Sequence, residues 1–197
     1  MNVFSAIRTR RSIGVVKPDP VPKEMIEQIL ESGTWAPNHH RTEPWRFFVV
    51  TGEARRKLGE AISNFTKSTM ETPISEENSK RLEREAQKPF RAPVIIAVAV
   101  EPMKSKKVLL KEEFAAVHAA VQNMLLVAHA LGLGSIWRSG DVCYSQEIKQ
   151  LFGLGDESEM VGFIYLGYPE NRVERKGTRK HFTEKTSWFN TVNDFSK

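Results

Sequence analysis

Apolar positions in this chain recur at two spacings, and the alternation between them outlines a fold before any chemistry is considered. From Asn2 to Arg11, Val3, Phe4 and Ile7 share one helical face, and the helix is expected to end near Ser12 to Gly14. A second helix opens around Pro22, and its stripe of Met25, Ile26, Ile29 and Leu30 stops near Gly33. Trp45 to Val50 is rich in aromatic and β-branched residues and reads as a strand, followed by a helix over Glu53 to Phe65. The polar stretch from Thr66 to Arg91 has a weaker core pattern and reads as a partly helical excursion in a lid position. Pro93 to Val100 is a continuous apolar run, as expected of a central strand buried on both faces.

Lys111 to Leu131 is the longest expected helix and is rich in alanine: Ala115, Ala116, Ala119, Ala120, Ala128 and Ala130. Small side chains let a neighbouring helix approach closely, so this helix is either central in the domain or lies at a subunit interface. It stops at Gly132 to Ser135, where glycine suits a left-handed cap. Ser135 to Ser139 then reads as a short strand, Ser145 to Phe152 as a short helix and Met160 to Gly167 as a last buried strand. The tail from Tyr168 is polar and basic yet carries Phe182, Trp188, Phe189 and Phe195, a pattern suited to docking on a second subunit.

Composition narrows the class. The 197 residues suit one domain spanning 1–197. No apolar run reaches the roughly 18 residues needed to span a bilayer, so no membrane partner is expected. The N-terminus has no apolar core before a cleavage site; it is basic and amphipathic, leaving an organelle-targeting segment as an alternative. Cys143 is the only cysteine, which excludes an internal disulfide and points to a reducing, cytoplasmic compartment. His39 and His40 are adjacent rather than spaced as helical zinc ligands, and no metal is expected. The net charge is +5, but the basic residues are not interleaved with aromatics, so no nucleic-acid partner is expected.

Three segments could carry chemistry. In Arg8 to Ser12, Arg10 and Arg11 offer bidentate contacts to a phosphate and Ser12 a neutral donor, at a helix end whose dipole opposes an anion; a solvated basic helix end is the alternative. In the loop from Trp35 to Pro44, Pro37 and Pro44 make rigid turns, His39 offers donors, and Trp35 and Trp45 offer apolar faces to a ring system. The alternative there is a proline-rich loop with its tryptophans in the core. In Gly132 to Gly140, glycines admit close backbone approach just before Trp137, Arg138 and Ser139; the alternative is a plain helix cap leading into a strand. Neither GxGxxG after a strand nor a Walker pattern is present, which disfavours dinucleotide and nucleoside-triphosphate folds.

Taken in order, Arg10–Ser12, Ala36–His39 with Pro44–Val49, Pro89–Pro93, Ile136–Gly140 and Val161–Gly167 resemble the nitroreductase family of FMN flavoproteins, in particular its short single-domain NAD(P)H-dependent members. The resemblance implies an α+β fold with a central mixed, mostly antiparallel sheet flanked by helices, assembled as a homodimer with FMN at the interface. It implies that Arg10, Arg11 and Ser12 hold the phosphate and ribityl chain. Trp35 and His39 would contact the flavin from the opposite subunit, and Trp137, Arg138 and Ser139 would complete the site. Val127, Ala128, His129, Ala130, Leu131 and Gly132 would approach the NADH or NADPH co-substrate. The implied activity is NAD(P)H-dependent reduction of nitroaromatic, quinone or similar small-molecule electron acceptors by ping-pong kinetics, with no side chain needed as acid or base. Another flavin chemistry on the same fold, or flavin binding without turnover, is the alternative. Larger relatives place a lysine two positions after the motif serine, where Gly14 stands here, so positive charge toward a reduced flavin must come from elsewhere. Some relatives also carry a phosphate-binding arginine in the tail, a place that Arg175, Arg179 or neither fills here.

Overall fold

The computed structural model of the chain describes residues 1–171 and 177–191. Four strands form one sheet: β1 (Trp45–Thr51), β2 (Val94–Val100), β3 (Gly134–Arg138) and β4 (Glu159–Gly167), in the order β1-β2-β4-β3. All three ladders are antiparallel. The parallel component of the expected mixed sheet is a single bridge, Ser12 to Ser135, on the outer edge of β3.

The continuous apolar run of β2 is explained by its central place, and all seven of its residues are buried. Its side chains alternate between two layers. Val94, Ile96, Val98 and Val100 join Ile164 and Leu166 beneath helices α2 (Lys23–Thr34) and α5 (Leu110–Ala130). Ile95, Ala97 and Ala99 join Phe163 and Tyr165 on the opposite face, covered by α3 (Ala54–Ser68) and α6 (Gln146–Leu151). This period-two division is what a strand buried on both faces requires.

The alanines of α5 divide the same way. Ala116, Ala120 and Ala128 are buried against the sheet and α2, and Asn123 Nδ2 donates to Ser32 O (3.2 Å) across the helix pair. α5 is therefore the central helix of the domain. Helix α1 (Val3–Thr9) buries only Ala6, and the apolar face read from sequence, Val3, Phe4 and Ile7, is 60, 71 and 56% exposed. The excursion of residues 66–91 is largely helical: α3 runs on to Ser68, and α4 (Glu76–Ala86) lies along it without burying any of its own residues. The tail begins by pairing with the chain's own N-terminal segment, through the Val16–Pro169 bridge and Lys17 N–H to Tyr168 O (2.7 Å).

Candidate cofactor site

The site is built around the two ends of α5. At its C-terminal end, α1 stops at Arg10, and Arg11 folds back so that Nη1 donates to the carbonyls of Arg8 (2.7 Å) and Arg10 (2.8 Å). These carbonyls carry the negative end of the helix dipole, so Arg11 offsets the field that would repel an anion. Its Nε–H is buried and has no acceptor. Thr9 Oγ1 donates to Ser5 O (2.7 Å) and lies 2.8 Å from His129 Nε2. Because the single hydroxyl proton goes to Ser5, the imidazole is the donor to Thr9.

The tail returns to this corner, with Gly177 against the Arg11 guanidinium. Burial lowers the pKa of Arg10, with the like charges of Arg11 and Arg179 adding to the effect. His129 is pushed down as well, by burial first and then by Arg10 and Arg11, which favours its neutral form. No carboxylate pairs with Arg10, Arg11 or Arg179 among the described residues. Gathered cations without an acid are unfavourable alone and become favourable when an anion joins them.

Along β3 the side chains alternate. Trp137 faces α5, its ring 5.6 Å from that of His118 and its Nε1 donating to Val161 O (3.3 Å). Arg138 faces the opposite layer, with its guanidinium 5.3 Å from the centre of the Tyr165 ring and its Nε–H buried without an acceptor. Ser139 is exposed at the strand end. Below it lies a cavity of about 130 Å³ lined by Lys88, Arg91, Arg138, Cys143 and Tyr165 among others. Burial raises the Tyr165 hydroxyl and pushes the Cys143 thiol up to about 12, so Cys143 is a packed, unreactive residue.

At the N-terminal end of α5 sits the aromatic loop. Its tryptophans separate: Trp45 starts β1 and is buried, whereas Trp35 at the end of α2 is 79% exposed. His39 and His40 stack, with centroids 3.9 Å apart, and His39 Nδ1 is hydrogen-bonded to Glu112. That bond is the main reason the Glu112 carboxyl lies below its usual range. Glu113 is buried, accepting from Thr42 Oγ1 (2.6 Å) and from Met103 N–H (3.1 Å). Asn38 Oδ1 accepts from Glu43 N–H (3.1 Å). His40, Arg41 and Glu43 hold φ of 57, 56 and 48°, left-handed values that non-glycine residues adopt at a cost. The acids at the start of α5 hold this strained loop in one shape, which rigid prolines at its ends assist.

The structure thus gathers Arg10, Arg11 and Ser12 with His129 and the outer edge of β3, and it brings Trp137, Arg138 and Ser139 along the same edge. His39 lies elsewhere: its partner Glu112 and His129 are 17 residues apart on one helix, about 25 Å along its axis, and Trp35 follows α2, whose Ser32 meets Asn123 midway along α5. Within Val127 to Gly132, Ala128 is buried in the core and Val127 and Leu131 pack against it. His129 is partly buried, Ala130 is exposed, and Gly132 lines a shallow cavity of about 320 Å³ with Lys17 and Tyr168. Arg175 lies outside the described residues. Glu112, Glu113 and Lys88 were not singled out from sequence; Arg91 stood there only as part of the Pro89–Pro93 motif. The paired acids following a strand and loop were the one available signal for Glu112 and Glu113, and Lys88 carried none.

These features define an α+β protein with a helix-flanked antiparallel sheet, an anion-receptive corner and a rigid aromatic loop. The chain belongs to the nitroreductase family, whose sequence profile matches residues 7–168. It is 35% identical over 182 residues to the protein named Putative NAD(P)H nitroreductase YfhC of Bacillus subtilis (strain 168), covering 90% of this chain and 91% of that one. Among solved structures, the nitroreductase-like family protein from Bacillus cereus superposes with a TM-score of 0.83 at 30% identity, covering 97% of both chains. The protein described as a putative nitroreductase of Desulfovibrio desulfuricans, solved in complex with FMN, superposes with a TM-score of 0.69 at 27% identity, covering 97% of this chain and 98% of that one.

Proposed function

We propose that this chain is an FMN-dependent oxidoreductase that uses NADH or NADPH to reduce nitroaromatic, quinone or similar acceptors by a ping-pong mechanism. The observation that carries the reading is the cluster of Arg10, Arg11 and Arg179, which among the described residues has no compensating acid and in which the buried Arg11 Nε–H has no acceptor. Such a donor set fits a phosphate monoester. FMN would supply hydride acceptance from a nicotinamide and electron delivery to the acceptor. This chain's residues bind and orient: Arg10, Arg11 and Ser12 at the phosphate end, Trp137, Arg138 and Ser139 at the ring.

The separation between the two ends of α5 is the reason to place Trp35 and His39 in the partner's site. An isologous homodimer applies both halves twice, and the exposed Val3, Phe4, Ile7 and Trp35 suit such an interface. The segment 66–91 would cover the acceptor, and the tail, of which Phe195 lies outside the described residues, would dock on the partner. Among the described residues no helix is long and apolar enough to cross a membrane; the buried single thiol suits a reducing cytoplasm.

The test is the purified protein titrated with FMN, then treated anaerobically with NADPH or NADH and offered nitrofurazone. Binding, bleaching of the flavin and acceptor turnover are expected. Replacing Arg10 and Arg11 with Ala removes charge-assisted hydrogen bonds worth about 1.5–3 kcal/mol each, so FMN affinity should fall by about a hundredfold or more. Unchanged retention contradicts the phosphate assignment, and bound flavin that neither nicotinamide bleaches contradicts the reductase.

A further inference from the structure

Position 14 is glycine, and the space in front of it is not empty. A Cβ built there would lie 3.3 Å from Nη2 of Arg138, so that guanidinium, arriving from β3, fills the place a side chain at position 14 would take. The same guanidinium stacks on Tyr165 at 5.3 Å, and its Nε–H is buried with no acceptor. Two more cations, Lys88 and Arg91, share the adjoining cavity of about 130 Å³. Glu85 pairs with Lys88 at 2.5 Å, and among the described residues neither Arg91 nor Arg138 pairs with an acid. A cavity of this size holds a few waters or one edge of a ring, not a whole tricycle.

A buried donor without an acceptor costs about 1–3 kcal/mol and persists where a ligand supplies the acceptor. Arg138 is therefore placed to meet negative charge, and it stands next to Gly14, two positions after Ser12, which is assigned to the cofactor. We infer that Arg138, supported by Arg91 and Lys88, stabilises the negative charge that bound FMN gains on reduction. A hydride carries two electrons and one proton, so the nicotinamide leaves with one added positive charge and the flavin ring keeps one added negative charge. Arg138 supplies from β3 the compensation that Gly14 cannot. The inference rests on the FMN reading above.

The experiment measures FMN affinity, by quenching of flavin fluorescence, and the two-electron midpoint potential, by equilibration with a reference dye. It compares the wild type with Arg138→Gln, Arg138→Lys and the double variant Gly14→Lys/Arg138→Gln. In Arg138→Gln the reduced form should lose at least tenfold in affinity relative to the oxidised form, a potential lower by about 30 mV or more. Arg138→Lys should keep most of the wild-type potential, and Gly14→Lys should restore it in the Gln background, because residue 14 points at the vacated space. A purely structural Arg138 would lower the melting temperature and leave the potential of bound flavin unmoved, which overturns the inference while sparing the FMN assignment. Failure of the wild type to bind FMN sinks both. If Arg138→Gln does not fold, Arg138→Met, neutral and of similar length, takes its place in the same comparison, and a bound-flavin potential less than about 30 mV from the wild type is the overturning result.

Discussion

Gly162→Ala is the sharpest test of how β3 is held against β4. A methyl group built at Gly162 would fall 2.1 Å from Trp137 Nε1, 2.7 Å from Trp137 Cδ1 and 2.7 Å from the Arg138 carbonyl oxygen. No real contact is so short, so the indole must swing away and lose its 3.3 Å bond to Val161, or β3 must part from β4. Overpacking of this kind costs about 1–3 kcal/mol, and a lost hydrogen bond adds about 1 kcal/mol. At roughly 2–4 °C per kcal/mol for a domain of this size, thermal unfolding followed by circular dichroism should fall by roughly 5–15 °C. In a Trp137→Ala background the clashing indole atoms are gone while the carbonyl clash stays, so the same substitution should cost at least about 1 kcal/mol less. A melting temperature within about 1 °C of the parent, or the same decrement with and without the indole, refutes the reasoning.

Other outcomes follow from the same geometry. At Gly59, an added Cβ would lie 2.1 Å from the Ala86 carbonyl oxygen. Gly59→Ala should therefore lift α4 from α3 and speed limited proteolysis within residues 69–91; an unchanged cleavage rate would show that α4 is held by something else. His129 titrates below its ordinary 6.5, so the unfolded chain takes up its proton first as pH falls. Stability of the apo protein is complete above 6.5 and declines as pH drops from 6.5 toward the lowered folded value, and His129→Gln should remove that part of the slope. Parallel pH curves for the two proteins would rule the assignment out.

The strand and helix sequence was legible because its periods are clean: the unbroken apolar run of β2 could only be a doubly buried strand, and the alanines of α5 needed a close neighbour. Less legible were features that depend on what lies across space. Val3, Phe4 and Ile7 are an apolar stripe by spacing, but spacing does not say which surface a stripe meets, and here it faces away from the chain's own core. Residues 66–91 looked polar because α4 contributes no core side chain; its closest approach to α3 is at Gly59, which has no side chain to signal it, and Ser63 Oγ adds a bond to Leu82 O. In the candidate site, the basic and aromatic segments were visible as motifs. The buried acid Glu113 and the cation Lys88 were invisible, since a lone charge in a sequence looks the same solvated or enclosed. That His39 sits at the far end of α5 from Arg10 is a fact of topology alone.

Cys143 has one practical consequence. As the single sulfhydryl of the chain, fully enclosed and with a thiol at about 12, it leaves the exterior blank to maleimides and other sulfur-directed reagents. Any surface residue exchanged for cysteine would then be the sole attachment point for a dye, a spin label or an electrode, and distances between two copies of the chain could be measured without first removing the native one.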